Sequence, residues 1–442
     1  MRIRSVALTL YSLLLVTSTT VPALAQSLPQ VCLDAVEAPS QQTRVVLLTR
    51  CLGTGQLGEN AFAIALAARG STHRELGQHQ QAIADLRQAI KLNPNYAPAF
   101  TGRGSVYNEL GLYQLAIEDF NQAIKLKPDS AIALYNRGNA YSNLGQYQRA
   151  MEDYDQAIKL RPDIAEAFYN RGTTYYRIGQ HQRAIEDLSQ AIKLKPADFA
   201  DAYSNRGMAY GALGQHRQAI GDYDQAIKLR PNLAEAYSNR GIAYYELGQD
   251  QRAIEDYDQA IKLKPDYSLA FNNRATAYNR LGQHQLAIED LTQVIKLKPD
   301  NADALCDRGA THNELGQHQW AIEDLNQAIK LKPDFASAFN NRGKAYHELG
   351  QWQRAIEDLN QAIKFKPDNA FAFYNRGIAY GTLGQWQRAI EDYDQAIKLK
   401  PDFAFAYGNR ALAYKGLGNI DRAKVDALRA LELDPKVEVP VP

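Results

Sequence analysis

Apolar residues along this chain come in short bursts at helical spacing, and each burst is stopped by a glycine or a proline. Residues 234–265 show the mechanics. Ala236, Tyr237, Gly241 and Tyr244 recur along one helix face until Leu247-Gly248 interrupts them. Glycine suits the left-handed backbone that ends a helix, and a Gly stands at this point in all eleven copies of the pattern, from Gly77 to Gly418. A second run then places Ala253, Ile254, Tyr257, Ala260 and Ile261 at i, i+1, i+4, i+7 and i+8, the stripe of an amphipathic helix. Pro265 stops that helix, because proline has no amide hydrogen and disfavours helical geometry in the residue before it. Asp266 is then expected to cap the next helix, and an Asp or Asn takes that place at every junction, among them Asn95, Asp129, Asp163, Asp198 and Asp402.

The stopping prolines fall at 94, 128, 162, 196, 231, 265, 299, 333, 367, 401 and 435, a spacing of 34 broken once by 35 where Ala197 is inserted. A period of this size means stacked helix pairs, each too small to bury its own apolar face without its neighbours. It overrides the division into separate globular domains that length alone suggests.

The recurring residues resemble the tetratricopeptide repeat (TPR) family, whose pattern of aromatic-x2-large-Gly-x2-aromatic, then Ala-x3-aromatic, then Pro is met by Tyr237, Gly241, Tyr244, Ala253, Tyr257 and Pro265. Eleven copies run over 63–437, starting near 63, 97, 131, 165, 200, 234, 268, 302, 336, 370 and 404. The resemblance implies an all-α fold, an α-α solenoid in which helix-turn-helix repeats wind into a right-handed superhelix with a concave groove lined by the first helices. Residues 26–62 read as an N-terminal capping segment, with Arg44 to Cys51 as half a repeat, and 438–442 as a short tail. In the last repeat Lys424 and Ala427 replace Ile and a bulky residue, which reads as a polar C-terminal cap and a monomeric chain.

Composition changes this picture at the N-terminus. Arg2 and Arg4, the apolar stretch Val6–Val16 and the sequence Val21-Pro22-Ala23-Leu24-Ala25 read as a secretory signal cleaved after Ala25. The alternative is an uncleaved anchor, for which the apolar stretch is short. Export points to the periplasm, with secretion or association with an envelope complex also open. In such a compartment disulfides persist, and Cys32 and Cys51 are expected to pair, leaving Cys306 free; three separate buried thiols are the other reading. The net charge of +1, with no run of Lys or Arg, argues against nucleic acid, and the export signal joins it in opposing a pentatricopeptide-like RNA binder.

Three rows of residues carry candidate chemistry. An Arg recurs in every first helix, from Arg69, Arg103 and Arg137 to Arg410, and an Asp in every second helix, from Asp85, Asp119 and Asp153 to Asp426. Equal counts favour a structural Arg–Asp ladder over a string of anion sites. The residue before that Arg is Asn136, Asn170, Asn205, Asn239, Asn273, Asn341, Asn375 and Asn409, with the run broken at Asp307. In the family this side of the first helix faces the groove. A similar ladder in glycosyltransferases that modify Ser and Thr grips peptide backbones, since an amide both donates and accepts. The other reading is a local or solvent-exposed consensus Asn. Tyr135, Tyr169, Tyr176, Tyr245 and Tyr374 add flat contact area around the Asn row or serve as packing residues.

The remaining candidates weaken alternatives. A basic carboxylate clamp needs several groove lysines, and only Lys344 is available. Trp320, Trp352 and Trp386 read as packing residues or a surface strip. His79, His181, His216, His284 and His318 fall in separate repeats with no metal-ligand spacing, so no metal and no cofactor is expected. No phosphate loop or nucleophile elbow occurs, and little chain lies outside the repeats to house an enzyme. The expectation is a non-enzymatic scaffold that binds a protein or an extended peptide and is not inserted in a membrane. An architectural spacer acting through the convex face is the alternative.

Overall fold

The structure is a computed structural model that describes residues 29–197 and 199–439. Among these residues every regular element is an α-helix, twenty-four in all. Residues 1–25, read above as a signal, and Asp198, expected as a cap, lie outside the described residues. The chain divides between Leu229 and Arg230 into two compact halves.

In the first half, helices Gln30–Asp34 and Gln41–Gly53 precede five helix pairs, from Glu59–Glu75 with His79–Leu92 to Ala200–Ala212 with His216–Leu229. In the second half, six pairs run from Ala234–Glu246 with Asp250–Leu263 to Ala404–Gly416 with Ile420–Leu433. Within each half a first helix packs on its own second helix, and that second helix packs on the next first helix. First helices of consecutive repeats also touch, as Ala302–Glu314 and Ala336–Glu348 do.

The core is built from small residues that let backbones approach. Ala236, Ala253 and Ala260 are fully buried around Tyr257. A Cβ on Gly241 would stand 2.6 Å from the Tyr257 ring, so the ring and the missing side chain are complementary. Where Ala275 replaces this glycine, the smaller Leu291 packs in the same cluster. Gly248 ends its helix at φ 71°, a conformation that needs no side chain.

Two expectations are corrected, and the opening helix is longer than its counterparts. Among the described residues the Asp or Asn that follows the proline does not cap the next helix. Pro265 and Asp266 occupy the middle of a turn in which the Tyr267 amide donates to the Lys264 carbonyl at 3.0 Å, and the helix begins at Ser268 after Tyr267. Caps fall one or two residues later where a short polar residue is present, as at Ser130, Asn301 and Asn369. The first helix of the opening repeat begins at Glu59, four residues ahead of Ala63. The final helix is a polar cap only in part: Lys424 is exposed as expected, but the rest of the reading fails. Ala427 is buried, because its place faces the chain's own first helix, while Val425 and Leu428 stand 66% and 64% exposed where Glu255 and Asp258 stand in the repeat starting at Ala234. Beyond that helix the Glu438 carbonyl and Val437 lie against Gly408.

At the other end Cys32 is bonded to Cys51, joining the two short helices, and both pack with Ala65 of the first repeat. Cys306 is free and buried.

Candidate functional site

The arginine row is structural. Each of the eleven Arg residues donates through Nε and Nη2 to both oxygens of the Asp sixteen positions on, at 2.6–2.8 Å. Nη1 reaches back to the preceding repeat, as from Arg342 to Asn326 Oδ1 and from Arg376 to Asn360 Oδ1, both at 2.6 Å. Aromatic rings flank the guanidinium; the Arg342 Cζ lies 5.4 Å from the Phe339 ring and 5.9 Å from the Tyr346 ring. Burial pushes the carboxyls of Asp187, Asp222, Asp290 and Asp392 up while the paired guanidinium pulls them down, the ordinary conflict of a buried ion pair. A guanidinium held by a bidentate pair to a buried carboxylate is largely spent as an anion receptor.

The asparagine row, one residue earlier on the same helices, is wired differently. Its Nδ2 groups bond the preceding repeat. Asn170 donates to Tyr135 Oη at 3.0 Å and Asn139 Oδ1 at 2.8 Å, and Asn205 to Tyr169 Oη at 3.1 Å and Thr173 Oγ1 at 3.2 Å. Asn136 donates to Ser105 Oγ at 3.2 Å. In the second half Asn375 donates to Asn340 Oδ1 and Asn409 to Tyr374 Oη, both at 3.0 Å, while Asn341 Nδ2 makes a long contact of 3.7 Å to Cys306 Sγ and its Oδ1 accepts from Asn340 Nδ2 at 3.3 Å. The acceptor is most often the residue just before the Asn of the preceding repeat. The carboxamides are thus oriented by their donors, and among the described residues Oδ1 of Asn170, Asn375 and Asn409 receives no hydrogen bond. A partner offering N–H groups meets a row of acceptors here.

Two rungs are open. Ser238 Oγ, fully buried, and Asn273 Nδ2 both lack a hydrogen-bond partner among the described residues. In the next repeat Asp307 is exposed, and its carboxylate has no hydrogen bond or ion pair among the described residues. Asn239 is half-buried on the helix Ala234–Glu246.

The five tyrosines separate into two groups. Tyr135, Tyr169 and Tyr374 belong to the Asn row, and burial raises each phenol above its ordinary value, so it stays protonated. Tyr176 and Tyr245 end their helices instead. The Tyr176 ring lies 5.2 Å from that of His181, and the Tyr245 ring carries the Arg280 guanidinium at 3.4 Å. Trp320 is 62% exposed, whereas Trp386 packs against Gly416, so the three tryptophans do not make a strip.

Two cavities border the row in the second half. One of about 760 Å³ is lined by Asn341, Tyr374 and Asn375 together with Phe371, Phe403 and Phe405. Phe371 and Phe405 are 50% and 53% exposed, and Lys344, which also borders the cavity, is engaged by Glu314 at 2.8 Å. Sequence reasoning missed these phenylalanines because they occupy the helix entry, although Phe pairs two places apart, 371 with 373 and 403 with 405, were a readable signal. The second cavity, about 500 Å³, is bounded by Thr276, Asn279, His284, Asp307 and Glu314.

Helix pairs of this length and period, locked by one ion pair per repeat, define a class of tandem-hairpin interaction proteins. The descriptions "TPR repeat" and "Tetratricopeptide repeat" match residues 70–145, 207–248 and 312–384, residues 131–198, 234–301 and 370–403, and residues 406–437. The chain belongs to the tetratricopeptide repeat family, and it is a protein-interaction scaffold of a kind that is typically non-enzymatic. No curated protein matches it. Similar solved structures include the hetero-tetramer Cut9–Hcn1 of APC/C, at 16% identity over 92% of this chain and 93% of that chain with a TM-score of 0.49. MamA matches at 29% identity over 37% of this chain and 94% of its own, TM-score 0.35. YrrB, described as a TPR protein with an unusual peptide-binding site, matches at 25% identity over 42% and 95%, TM-score 0.38. No helix among the described residues is long and apolar enough to cross a membrane.

Proposed function

We propose that the chain binds an extended peptide, or an extended segment of a partner protein, along the Asn row of its first helices. The observation that carries this reading is the orientation of the row: donors face the preceding repeat and carboxamide oxygens remain to accept peptide N–H groups. Phe371 and Phe405 beside Asn375 add apolar contact area for side chains, in a cavity of the size that ordinary ligand sites have, roughly 300–1,000 Å³. The first 25 residues and the Cys32–Cys51 bond support export, to the periplasm foremost, where such bonds persist.

Selection from a displayed library of random linear peptides tests the reading, with the full chain and a variant carrying Asn341→Ala, Asn375→Ala and Phe371→Ala. Selected peptides should bind the variant at least about tenfold more weakly, a loss of roughly 1.4 kcal/mol, at unchanged helicity. Equal binding would move recognition off this row. An assembly role through the end of the array is favoured by one observation, the exposed Val425 and Leu428 of the last helix, and substituting both with Glu leaves peptide selection intact on the first reading.

A further inference from the structure

The Asn row is interrupted once, and the interruption coincides with a gap in the packing. Helices Ser268–Arg280 and Ala302–Glu314 touch less than the other consecutive first helices of the second half, and the cavity of about 500 Å³ opens between them. Asp307 stands in its wall where eight other repeats carry Asn.

The other polar groups of this cavity are engaged. Asn279 donates to Thr311 Oγ1 at 2.9 Å and contacts His284 Nδ1 at 3.1 Å, the Thr276 hydroxyl donates to the Asn272 carbonyl at 3.0 Å, and Glu314 takes Lys344 at 2.8 Å. The Asp307 carboxylate alone has neither a hydrogen bond nor an ion pair among the described residues. Partial desolvation against the cavity wall, and after it repulsion from Asp303, raise the carboxyl to about 6, while the outer part of the side chain stays exposed. Ionised, Asp307 offers only acceptors, so it cannot make the backward donation its Asn counterparts make. The rung before it is open as well: Ser238 Oγ is fully buried without a partner, and Asn273 Nδ2 has none either. A buried polar group left unsatisfied costs roughly 1–3 kcal/mol, and these two stand in consecutive repeats directly before Asp307.

We infer that Asp307 is the specificity-determining residue of the peptide-binding row, and that the cavity between residues 276 and 314 receives a cationic side chain, lysine or arginine, of the bound peptide. This rests on the peptide-binding reading above. An ammonium or guanidinium brings both the charge and the N–H donors that Asp307 lacks. A metal ion is less suited, since among the described residues no group of three His, Cys, Asp or Glu side chains is arranged to hold one.

The test compares the full-length chain with Asp307→Asn and Asp307→Lys in selections from the same random peptide library, followed by replacement of each selected Lys with norleucine. Asp307→Asn restores the residue the other repeats carry, so it is expected to fold. Wild type should select Lys or Arg at one fixed position, and norleucine there should weaken binding about tenfold. Asp307→Asn should bind the two peptides within about twofold, and Asp307→Lys should turn the preference toward Asp or Glu. Selected peptides without a fixed cationic position, or a Lys preference that survives in Asp307→Asn, would overturn the inference and leave peptide binding along the row intact. Selection of no peptide by wild type would overturn both.

Discussion

Within the second half of the chain the same row of residues is built in two ways. From Asn340 to Asn409 the carboxamides bond from repeat to repeat, Asn375 to Asn340 and Asn409 to Tyr374. From Ser238 to Asp307 the corresponding groups have no such bonds. One place along the helix, the arginine row makes the same buried bidentate pair in both stretches, as Arg274 with Asp290 and Arg376 with Asp392 do. The difference therefore does not arise from looser hairpins. It arises because the acceptor that the Asn needs comes from the repeat before, and that residue varies. Tyr374 carries a hydroxyl far enough from its backbone to reach Asn409; Ser238 carries its own one carbon out. Stability is held by the invariant row, which leaves the variable row able to differ from repeat to repeat.

The largest expected effect breaks the invariant row. Arg342→Leu removes both donors from Asp358 and the tie to Asn326, leaving a buried carboxylate without its partner. Loss of one partner of such a pair costs about 3–5 kcal/mol. The measurement is urea unfolding followed by helicity; a loss below about 1 kcal/mol would mean that the row is not what holds the hairpins together.

A smaller effect separates bonded from open rungs. Asn409→Ala and Tyr374→Phe should each cost about 1 kcal/mol, and the double variant should cost less than their sum, because both remove the same hydrogen bond. Asn273→Ala removes a buried donor that has no partner, so it should be neutral or stabilising. Equal losses at Asn273 and Asn409 would erase the distinction between the two stretches.

How much of this was legible in the sequence differs from row to row. The helix pairs were readable because proline, glycine and apolar spacing repeat in register, and the Arg–Asp ladder because opposite charges recur in equal number at a fixed distance. The donors of Asn170, Asn205 and Asn409 were not readable from their own repeats, since their acceptors lie 31–36 positions earlier at two places, Tyr135, Tyr169 and Tyr374 at one and Asn139 and Thr173 at the other. Tyr176 and Tyr245 looked equivalent to Tyr135 by residue type, but seven places further along the helix they meet the turn and the neighbouring repeat instead. Ala427 looked like a trimmed outer face because it replaces a large residue; its place is inside the hairpin, opposite the first helix, and the outer face carries Val425 and Leu428. The Asp after the proline was misread as a cap because proline followed by Asp serves a turn as readily as a helix start.

The smallest effect concerns pH and the open stretch alone. The carboxyl of Asp307 is raised from 3.8 to about 6 by partial desolvation and by Asp303, so the folded chain keeps this proton where the unfolded chain has already released it. Folding takes up a proton between those values, and the stability contributed by Asp307 falls as pH rises through about 4 to 6 and is level beyond. Asp307→Asn removes the ionisation while Asp303, His284 and Glu314 stay in place. The melting temperature of the variant minus that of wild type should therefore climb from near zero at pH 4 to a plateau above pH 6. A flat difference would mean that Asp307 ionises as a surface carboxylate does, and the open rungs would then lose the electrostatic feature that sets them apart from the bonded ones.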